Sequence, residues 1–423
     1  MYRFHLTKLN NGLRILTVPS KESLSFQITV LVNTGADFET KENNGISHFL
    51  EHMSFKGTKK RPSNLSIVKE LDTVGGYYNA FTGAEYTGYY AFVARQKKDL
   101  ALDIISDIYL NSQFPEKEIK KEKGVIIEEI NMKQDEPSRY VWEIWRKLLY
   151  GNQAVGRTIL GTKANVKGFK REDFLKYYKS QYKAKSTIVV VSGNFSQKEI
   201  LNQIKDYFGD IRAGKGSKKE LVKEKQNKPQ VFIKNKKTDQ THLVLGFRGI
   251  SLFDKRFYAL KVLNAIFDGG MSGILFQTIR DKLAVAYYIY SAISRSTDHG
   301  YWTVAAGIDN NRLEEVIRSV LEEWKKFKTK PVDIKDIKKA KSYITGKLAL
   351  RLENVHNVAD YFAFQELLKQ KIETPGEYLR KIKQVTARDI QKVAEDLLKS
   401  QSLNLAIIGP HKNRQKIEKL LHV

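Results

Sequence analysis

The sequence Thr187-Ile-Val-Val-Val-Ser-Gly193 predicts a buried strand that ends in a glycine turn. The same pattern returns as Leu403-Asn-Leu-Ala-Ile-Ile-Gly409, at an offset of 216 residues. A second pair of segments, Glu118-Ile-Lys-Lys-Glu-Lys123 and Asp336-Ile-Lys-Lys-Ala-Lys341, has an offset of 218 residues. Two widely separated pairs with nearly equal offsets predict a duplicated unit of about 210 residues.

The elements predicted between these segments follow the same order in both halves. Strands predicted at 26–32 and 242–247 each lead to a helix, a pair of glycines and a hairpin-like region. The two hairpin-like regions lie at 77–93 and 285–307. This shared order supports duplication over an accidental match between two lysine-rich helices.

The polar, lysine-rich stretch between the halves predicts the domain boundary. Its composition is typical of a linker, and a chain of 423 residues is too long for one ordinary core. We therefore expect an N-terminal domain at 1–212, a linker at 213–229 and a C-terminal domain at 230–423.

Composition excludes some classes of protein. The chain is 41% hydrophobic and 28% charged, has no cysteine, and contains no apolar run of about eighteen residues. No secretory signal is seen, so a cytoplasmic location without a membrane partner is expected. The net charge of +26 comes from lysines scattered along helical segments, which favours a solvated surface over nucleic-acid binding.

The pattern with the clearest chemistry is His48-Phe-Leu-Glu-His52, which reads H-x-x-E-H and is predicted to be helical, with Ser47 as a candidate N-cap. Histidines four residues apart share one helix face, so both imidazoles can reach one metal ion. Two neutral imidazoles suit zinc, and a nearby carboxylate that is not a ligand can take a proton from water. We expect His48 and His52 to be zinc ligands and Glu51 to be the general base.

A catalytic zinc site needs a third protein ligand, and the helix predicted at 115–135 offers Glu128 and Glu129. Glu129 shares a helical stripe with Glu122 and with apolar residues, so this face should be partly buried. Glu128 shares its face with polar residues, which is typical of a solvated face. The pattern favours Glu129 as the ligand and Glu122 as a supporting carboxylate that orients a ligand histidine.

The second half lacks these groups. Positions 264–270, which correspond to the histidine motif, contain no histidine, and the positions of Glu122 and Glu129 hold Ala340 and Lys347. One zinc ion per chain is therefore expected, and the C-terminal half is expected to bind or shape the substrate.

These motifs resemble those of the pitrilysin or insulinase-type zinc metallopeptidases, most closely the short members related to the mitochondrial processing peptidase β-subunit. The run His48–Thr58 is similar to the family signature, and Glu122–Glu129 resembles its second motif. In that motif the last Glu is the metal ligand and the first supports it. The resemblance implies an α+β fold with two homologous αβ-roll domains, each a mixed, mostly antiparallel sheet with helices packed on one face.

The resemblance also implies substrate-binding residues in both halves. In the second half, Arg280 and Tyr287 have the spacing of a pair that reaches the substrate in similar enzymes. In the first half, the residues that look like an edge-strand motif for holding the substrate backbone are Asn79, Ala80, Phe81 and Thr82. The implied activity is hydrolysis of peptides or small unfolded polypeptides by a zinc-dependent endopeptidase.

Family enzymes enclose peptides in a clamshell of four such units, and this chain has two. The resemblance therefore implies half of a clamshell and a pair of chains. Because the zinc motif is complete, a homodimer is the first expectation, and a heterodimer with a metal-free homologue is the alternative. A second alternative is a catalytically silent scaffold subunit, which the presence of Glu51 disfavours because a structural zinc site needs no base.

Overall fold

The structure is a computed structural model that describes residues 3–423. Residues 1 and 2 of the predicted N-terminal domain lie outside the described residues. The strands are β1 (His5–Lys8), β2 (Arg14–Pro19), β3 (Ser25–Val32), β4 (Tyr77–Thr82), β5 (Thr87–Ala94), β6 (Thr187–Gly193), β7 (Gln230–Asn235), β8 (Thr241–Arg248), β9 (Ala286–Arg295), β10 (Gly300–Ile308) and β11 (Leu403–Gly409). The α-helices are α1 (Ile46–Ser54), α2 (Asn64–Thr73), α3 (Lys98–Asn111), α4 (Glu116–Asp135), α5 (Pro137–Tyr150), α6 (Lys163–Gly168), α7 (Arg171–Gln181), α8 (Gln197–Phe208), α9 (Phe257–Phe267), α10 (Leu313–Thr329), α11 (Ile334–Arg351), α12 (Val355–Lys369), α13 (Pro375–Gln384), α14 (Ala387–Leu397) and α15 (Arg414–Glu418).

The strands form two sheets with corresponding topology. The first has the order β1-β2-β6-β3-β5-β4, and the second has the order β7-β11-β8-β10-β9. Each sheet has one parallel pair, β2 with β6 and β7 with β11, and its other pairs are antiparallel. The two segments whose repetition predicted the duplication form β6 and β11, each of which has a partner strand on both sides. The predicted α+β fold with two mixed, mostly antiparallel sheets is therefore confirmed.

One face of the first sheet carries the main core of its unit. Phe26, Ile28 and Val30 of β3 point to this face because side chains alternate along a strand. Helices α1, α3 and α8 lie against strands of this sheet. Among them, α1 contacts the edge strand β4, and this packing positions the histidine motif beside the sheet edge.

The opposite face of each sheet is also covered, which differs from the expectation of helices on one face. On the first sheet, α12 lies against β2, β3 and β6, where Ser192 Oγ lies 3.2 Å from His356 Nδ1. On the second sheet, α5 lies against β8 and β11, and Trp145 clusters with Val244 and Ala406. Side chains alternate along a strand, so each strand also has apolar side chains on the face away from the main core. Helices α12 and α5 cover these side chains.

The chain forms two compact units that differ from the predicted domains in two helical segments. The first unit contains the residues up to Asn131, Arg157–Glu220 and Arg351–Ile372, and the second contains Met132–Gly156, Leu221–Leu350 and Glu373–Val423. Helix α5 belongs to the second unit and α12 to the first, although the sequence places each in the other half. The predicted linker, 213–229, contains no helix or strand, and the division at Glu220 falls within it.

Most predicted elements are present, but the start of the motif helix is different. Helix α1 begins at Ile46 and its N-cap is Gly45, which has a φ of 100°. The prediction that Ser47 is the N-cap is therefore wrong, since Ser47 lies inside the helix. A left-handed conformation favours glycine, and a Cβ at Gly45 would lie 2.7 Å from the Cα of Gly161.

Across residues 3–423, no helix combines the length and the apolar composition needed to cross a membrane. Helix α4, which has 20 residues, illustrates the reason, because it is rich in lysine and glutamate.

Candidate metal centre

Helix α1 presents two faces with different functions. Its apolar face, with Phe49, Leu50 and Met53, is fully buried in the core of the first unit. Its other face carries the two histidines, whose ring centroids lie 4.6 Å apart. The buried face therefore fixes the helix, and the spacing of four residues brings both imidazoles to one place.

Helix α4 brings Glu129 to the two histidines. Oε2 of Glu129 lies 3.5 Å from Nε2 of His48 and 3.8 Å from Nε2 of His52. One ligand atom from each residue lies within 4.8 Å of the others, and in residues 3–423 this is the one group of three or more His, Asp or Glu that could hold a metal ion. The neighbouring Glu128 is exposed, as its solvated pattern predicted.

The arrangement fits zinc in both chemistry and size. Two imidazole nitrogens and a carboxylate oxygen are a donor set found in catalytic zinc sites. With metal–ligand bonds of about 2.0–2.1 Å and tetrahedral angles, neighbouring ligand atoms should lie about 3.4 Å apart. The two distances from Glu129 are close to this value, so small side-chain movements would complete the coordination.

Glu122 holds His52 from the side away from Glu129. Its Oε1 lies 2.9 Å from Nδ1 of His52, and its Oε2 lies 2.6 Å from Nζ of Lys56. Because Nδ1–H donates to this carboxylate, Nε2 of His52 remains available as a ligand atom. The structure therefore brings Glu122 to a ligand histidine, and it adds Lys56, which sequence reasoning missed.

The same contacts shift the pKa of both groups. Burial acts to lower the pKa of His52, but its hydrogen bond to Glu122 and the nearby carboxylates offset burial and raise it. Burial acts to raise the pKa of Glu122, but His52 and Lys56 offset burial and lower it. Glu122 is therefore an ionised carboxylate at neutral pH, as a group that orients a ligand imidazole should be.

Glu51 lies beside the histidines but is not part of the cluster of ligand atoms. Its Oε2 accepts a hydrogen bond of 2.6 Å from Oγ1 of Thr82 on β4. Burial raises the pKa of Glu51, the Thr82 hydroxyl opposes this rise, and the charge of Glu129 adds to it. A carboxylate with a raised pKa is better suited to accept and return a proton than an ordinary surface carboxylate.

The four residues predicted to bind the substrate backbone lie on the edge strand β4. The sheet order leaves one side of β4 without a partner strand in the described part of the chain. Thr82 makes a further contact through its hydroxyl, which donates to Glu51, and the predicted backbone role of the four residues stays a prediction. Oδ1 of Asn79 accepts a hydrogen bond of 2.8 Å from the backbone N–H of Ala80, a local contact next to the strand edge.

A buried acid that sequence reasoning missed anchors the start of α1. Oε2 of Glu39 accepts hydrogen bonds from the backbone N–H of Gly45 at 2.7 Å and from Nδ2 of Asn44 at 2.9 Å. Its Oε1 accepts from the backbone N–H of Ser47 at 2.8 Å. The carboxylate thus satisfies free N–H groups at the N-terminus of the motif helix, next to His48.

Burial raises the pKa of Glu39 to about 7, although the N–H donors act to lower it. Glu39 lies in a polar loop with no helical or strand period, so its sequence context carried no signal of this contact. The contact exists only because the loop folds over the start of α1.

Arg280 and Tyr287 lie in the second unit. Arg280 is in the π-helical segment Phe276–Lys282, with its guanidinium 5.2 Å from the ring centroid of Phe276. Tyr287 lies on the edge strand β9 and is 62% exposed. Their predicted contact with a substrate stays a prediction.

Two protein-family models match the chain. The model described as Insulinase (Peptidase family M16) matches residues 14–163, and the model described as Peptidase M16 inactive domain matches residues 168–344. This chain belongs to the insulinase family, M16. The first match includes the His–His–Glu cluster, and the second includes Ala340, which replaces the supporting acid.

Bacterial relatives of this chain have names that agree with the site. A Bacillus subtilis protein named uncharacterized zinc protease YmxG is 35% identical over 403 residues, covering 95% of this chain and 97% of the relative. A Rickettsia bellii protein named uncharacterized zinc protease is 36% identical over 409 residues, covering 96% and 98%. These names support zinc as the metal. The finer resemblance to the mitochondrial processing peptidase β-subunit stays a prediction.

A solved structure has the same fold. The crystal structure of a protease from Helicobacter pylori superposes with a TM-score of 0.88 at 21% sequence identity. The match covers 97% of this chain and all of the other chain, 100%. At this identity the likeness shows the two-domain M16 fold alone.

Proposed function

We propose that this M16 protein is a zinc-dependent endopeptidase that hydrolyses peptides or small unfolded polypeptides. The observation that carries the proposal is the convergence of His48, His52 and Glu129 next to a separate, hydrogen-bonded Glu51. A structural zinc site is usually closed by four protein ligands and needs no additional carboxylate. Three ligands beside a base are what a hydrolytic site requires, with one zinc ion per chain.

Each residue of the site would have a defined role. When bound, zinc acts as a Lewis acid and makes a water molecule more acidic. Glu51 would take a proton from that water and return it to the leaving amine, while Thr82 keeps its carboxylate in place. Glu122 would keep Nε2 of His52 aimed at the metal through the hydrogen bond to Nδ1.

The free edge of β4 supports a mode of substrate binding. A peptide that adds as a strand to Asn79–Thr82 would be held through its backbone, with weak demands on its sequence. Arg280 and Tyr287 would grip substrate carbonyls or stabilise the developing oxyanion. This role is compatible with the exposed position of Tyr287 on β9.

We also propose that two chains assemble to form the working peptidase. A homodimer needs no other gene product because each chain has the complete metal set, whereas a heterodimer would need a metal-free homologue. Light scattering after gel filtration separates the two, since only the homodimer forms from this chain alone. The resemblance to the mitochondrial processing peptidase β-subunit bears on this choice, because a β-type subunit would require its partner for activity.

The scaffold alternative is less well supported. A protein that retains zinc only for stability has no use for a buried, hydrogen-bonded Glu51. Nucleic-acid binding has only the charge of +26 in its favour, and titration across salt would test it, since phosphate contacts give a steep negative slope.

The proposal is tested by cleavage of an internally quenched peptide library by the purified full chain, with and without a chelator. Glu51→Gln should keep about one zinc per chain. Its cleavage rate should fall ~10²–10⁴-fold, as expected for loss of a general base. Glu129→Gln should lose zinc, whereas the matched control Glu128→Gln on the exposed side of α4 should retain both zinc and cleavage.

Two outcomes would contradict the proposal. Full cleavage by zinc-loaded Glu51→Gln would exclude Glu51 as the base. No cleavage of any library member by zinc-loaded, dimeric wild-type protein would favour the scaffold or obligate-partner role.

A further inference from the structure

We propose that the second unit binds an oxyanion, a carboxylate or a phosphate group, in a cavity between α9 and β9. The cavity has a volume of about 350 Å³. Its polar lining comes from Arg295 and Ser291 of β9 and from Asn264 and Lys261 of α9. None of these residues belongs to the metal centre.

Arg295 is the main reason for expecting an anion. Its guanidinium lies 3.2 Å from the ring centroid of Phe257, and one of its N–H groups donates to the carbonyl of Leu252 at 3.3 Å. In residues 3–423, no carboxylate lies within ion-pair distance of this guanidinium. The guanidinium is therefore held in place by a ring and a carbonyl, while most of its donors are left for another group.

The acids of this region already have other partners. Asp254 forms an ion pair of 2.7 Å with Arg256, and Glu373 forms one of 2.7 Å with Lys381. Asp268, the acid at the end of α9, accepts a hydrogen bond of 2.6 Å from the backbone N–H of Ser291. The positive charge of Arg295 is therefore not cancelled by a direct partner.

Burial makes this charge more receptive to an anion. It lowers the pKa of Arg295 to about 10, so the side chain remains charged at neutral pH. A partly buried cation that lacks a counterion keeps an unfavourable desolvation energy, and a bound anion would relieve it. A guanidinium can also donate two parallel hydrogen bonds to a carboxylate or phosphate.

Asn264 supplies a second donor whose orientation is fixed. Its Oδ1 accepts hydrogen bonds from Nε1 of Trp302 at 2.7 Å and from Oγ of Ser291 at 2.7 Å. With its oxygen used in this way, the amide can offer only its Nδ2 hydrogens to a ligand. Lys261 adds a second positive charge to the lining. Donors and cations in one open cavity select an oxyanion over a neutral or cationic ligand.

The position of the cavity in the fold supports a ligand role. Helix α9 follows β8 and contacts the edge strand β9, as α1 follows β3 and contacts the edge strand β4. The first unit uses this helix–strand junction for groups that attract a metal cation. The second unit has the opposite charge at the corresponding junction. The inference does not depend on peptidase activity, because it concerns only binding within the second unit.

The test is isothermal titration of the full chain, treated with a chelator, with three probes: inorganic phosphate, N-acetyl-alanyl-alanine and the C-terminal amide of that dipeptide. Phosphate or N-acetyl-alanyl-alanine, which has a free carboxylate, should bind, and the dipeptide amide should not. Preference for the dipeptide acid identifies a peptide terminus as the ligand, and preference for phosphate identifies a phosphate compound.

The variants assign the binding to the cavity. Arg295→Gln should weaken binding at least tenfold, whereas Arg414→Gln, which removes an exposed arginine of the same unit, should leave it unchanged. If Arg295→Gln does not fold, Arg295→Lys retains the charge and should weaken binding by a smaller factor because the planar fork is lost. No binding of either anion, equal binding of the acid and the amide without phosphate binding, or wild-type anion binding by both Arg295 variants would overturn the proposal.

Discussion

The two units have five strands in corresponding order but opposite chemistry at corresponding places. In the first unit, the helix beside the edge strand carries His48 and His52, and α4 adds Glu129. In the second unit, α9 lacks histidine, and α11 has Ala340 and Lys347 where α4 has acids. The corresponding strands β6 and β11 are fully buried in both units. A duplicated scaffold can therefore keep its core and change its site, because the two depend on different faces of the same elements.

Electrostatics sharpens this comparison. The charge of Glu129 contributes to the raised pKa of Glu51, so the first unit concentrates negative charge that a cation would offset. The second unit instead holds Arg295 without a direct acidic partner. The whole chain has a net charge of +26. The metal centre is locally negative, whereas the cavity is positive like the chain as a whole.

The largest expected effect comes from His52→Ala in the first unit. The variant should lose its zinc, measured by elemental analysis of the purified protein, and cleavage of the quenched peptide should fall on the order of a thousandfold or more. His422→Ala, an exposed histidine of the second unit, should change neither. Retention of zinc by His52→Ala would break the comparison, because the metal would then lie elsewhere.

A smaller effect is expected from Glu122→Gln. The second unit has Ala340 at this position, so the carboxylate is not needed for the fold and should act on the metal. Loss of the group that orients His52 should weaken zinc binding roughly 10–100-fold, measured by competition with a chelator. Glu118→Gln, one turn earlier on α4, is the control. Unchanged zinc affinity in Glu122→Gln would mean that Lys56 and the helix position His52 without it.

The smallest effect concerns pH and Glu39. Its pKa in the folded protein is about 7, above the ordinary 4.5, so the folded state holds a proton that the unfolded state releases between these values. The free energy of unfolding should therefore fall as pH rises from 4.5 to 7, by at most about 1.4 kcal/mol per pH unit from this group. Above pH 7 this contribution becomes constant.

Glu39→Gln should remove this part of the pH dependence, and Glu42→Gln, a fully exposed control, should retain it. Urea unfolding followed by far-UV circular dichroism is the suitable measurement. Tryptophan fluorescence monitors only the second unit, because all four tryptophans lie there: Trp142, Trp145, Trp302 and Trp324. Identical pH slopes for wild type and Glu39→Gln would show that the buried carboxyl does not titrate as described.

Local patterns predicted much of the metal centre. The i,i+4 spacing of the histidines and the stripe that joins Glu122 to Glu129 depend only on helix geometry, and the structure brings these side chains together. The hairpin at 77–93 was equally visible, because alternation and turn residues are local signals. The contact between Thr82 and Glu51 was not predicted, since it depends on how closely β4 packs against α1.

The sequence by itself determined most helices and strands, the duplication and the presence of the metal ligands in one half only. Periodicity, spacing and residue type are local properties of the chain. Only the tertiary structure decided which helix covers which sheet, since α5 lies in the second compact unit and α12 in the first although chain order places each in the other half. It also brought Glu39 to the start of α1, and among residues 3–423 it left no carboxylate within ion-pair distance of Arg295. These outcomes depend on burial and charge between residues far apart in sequence, which no local pattern records.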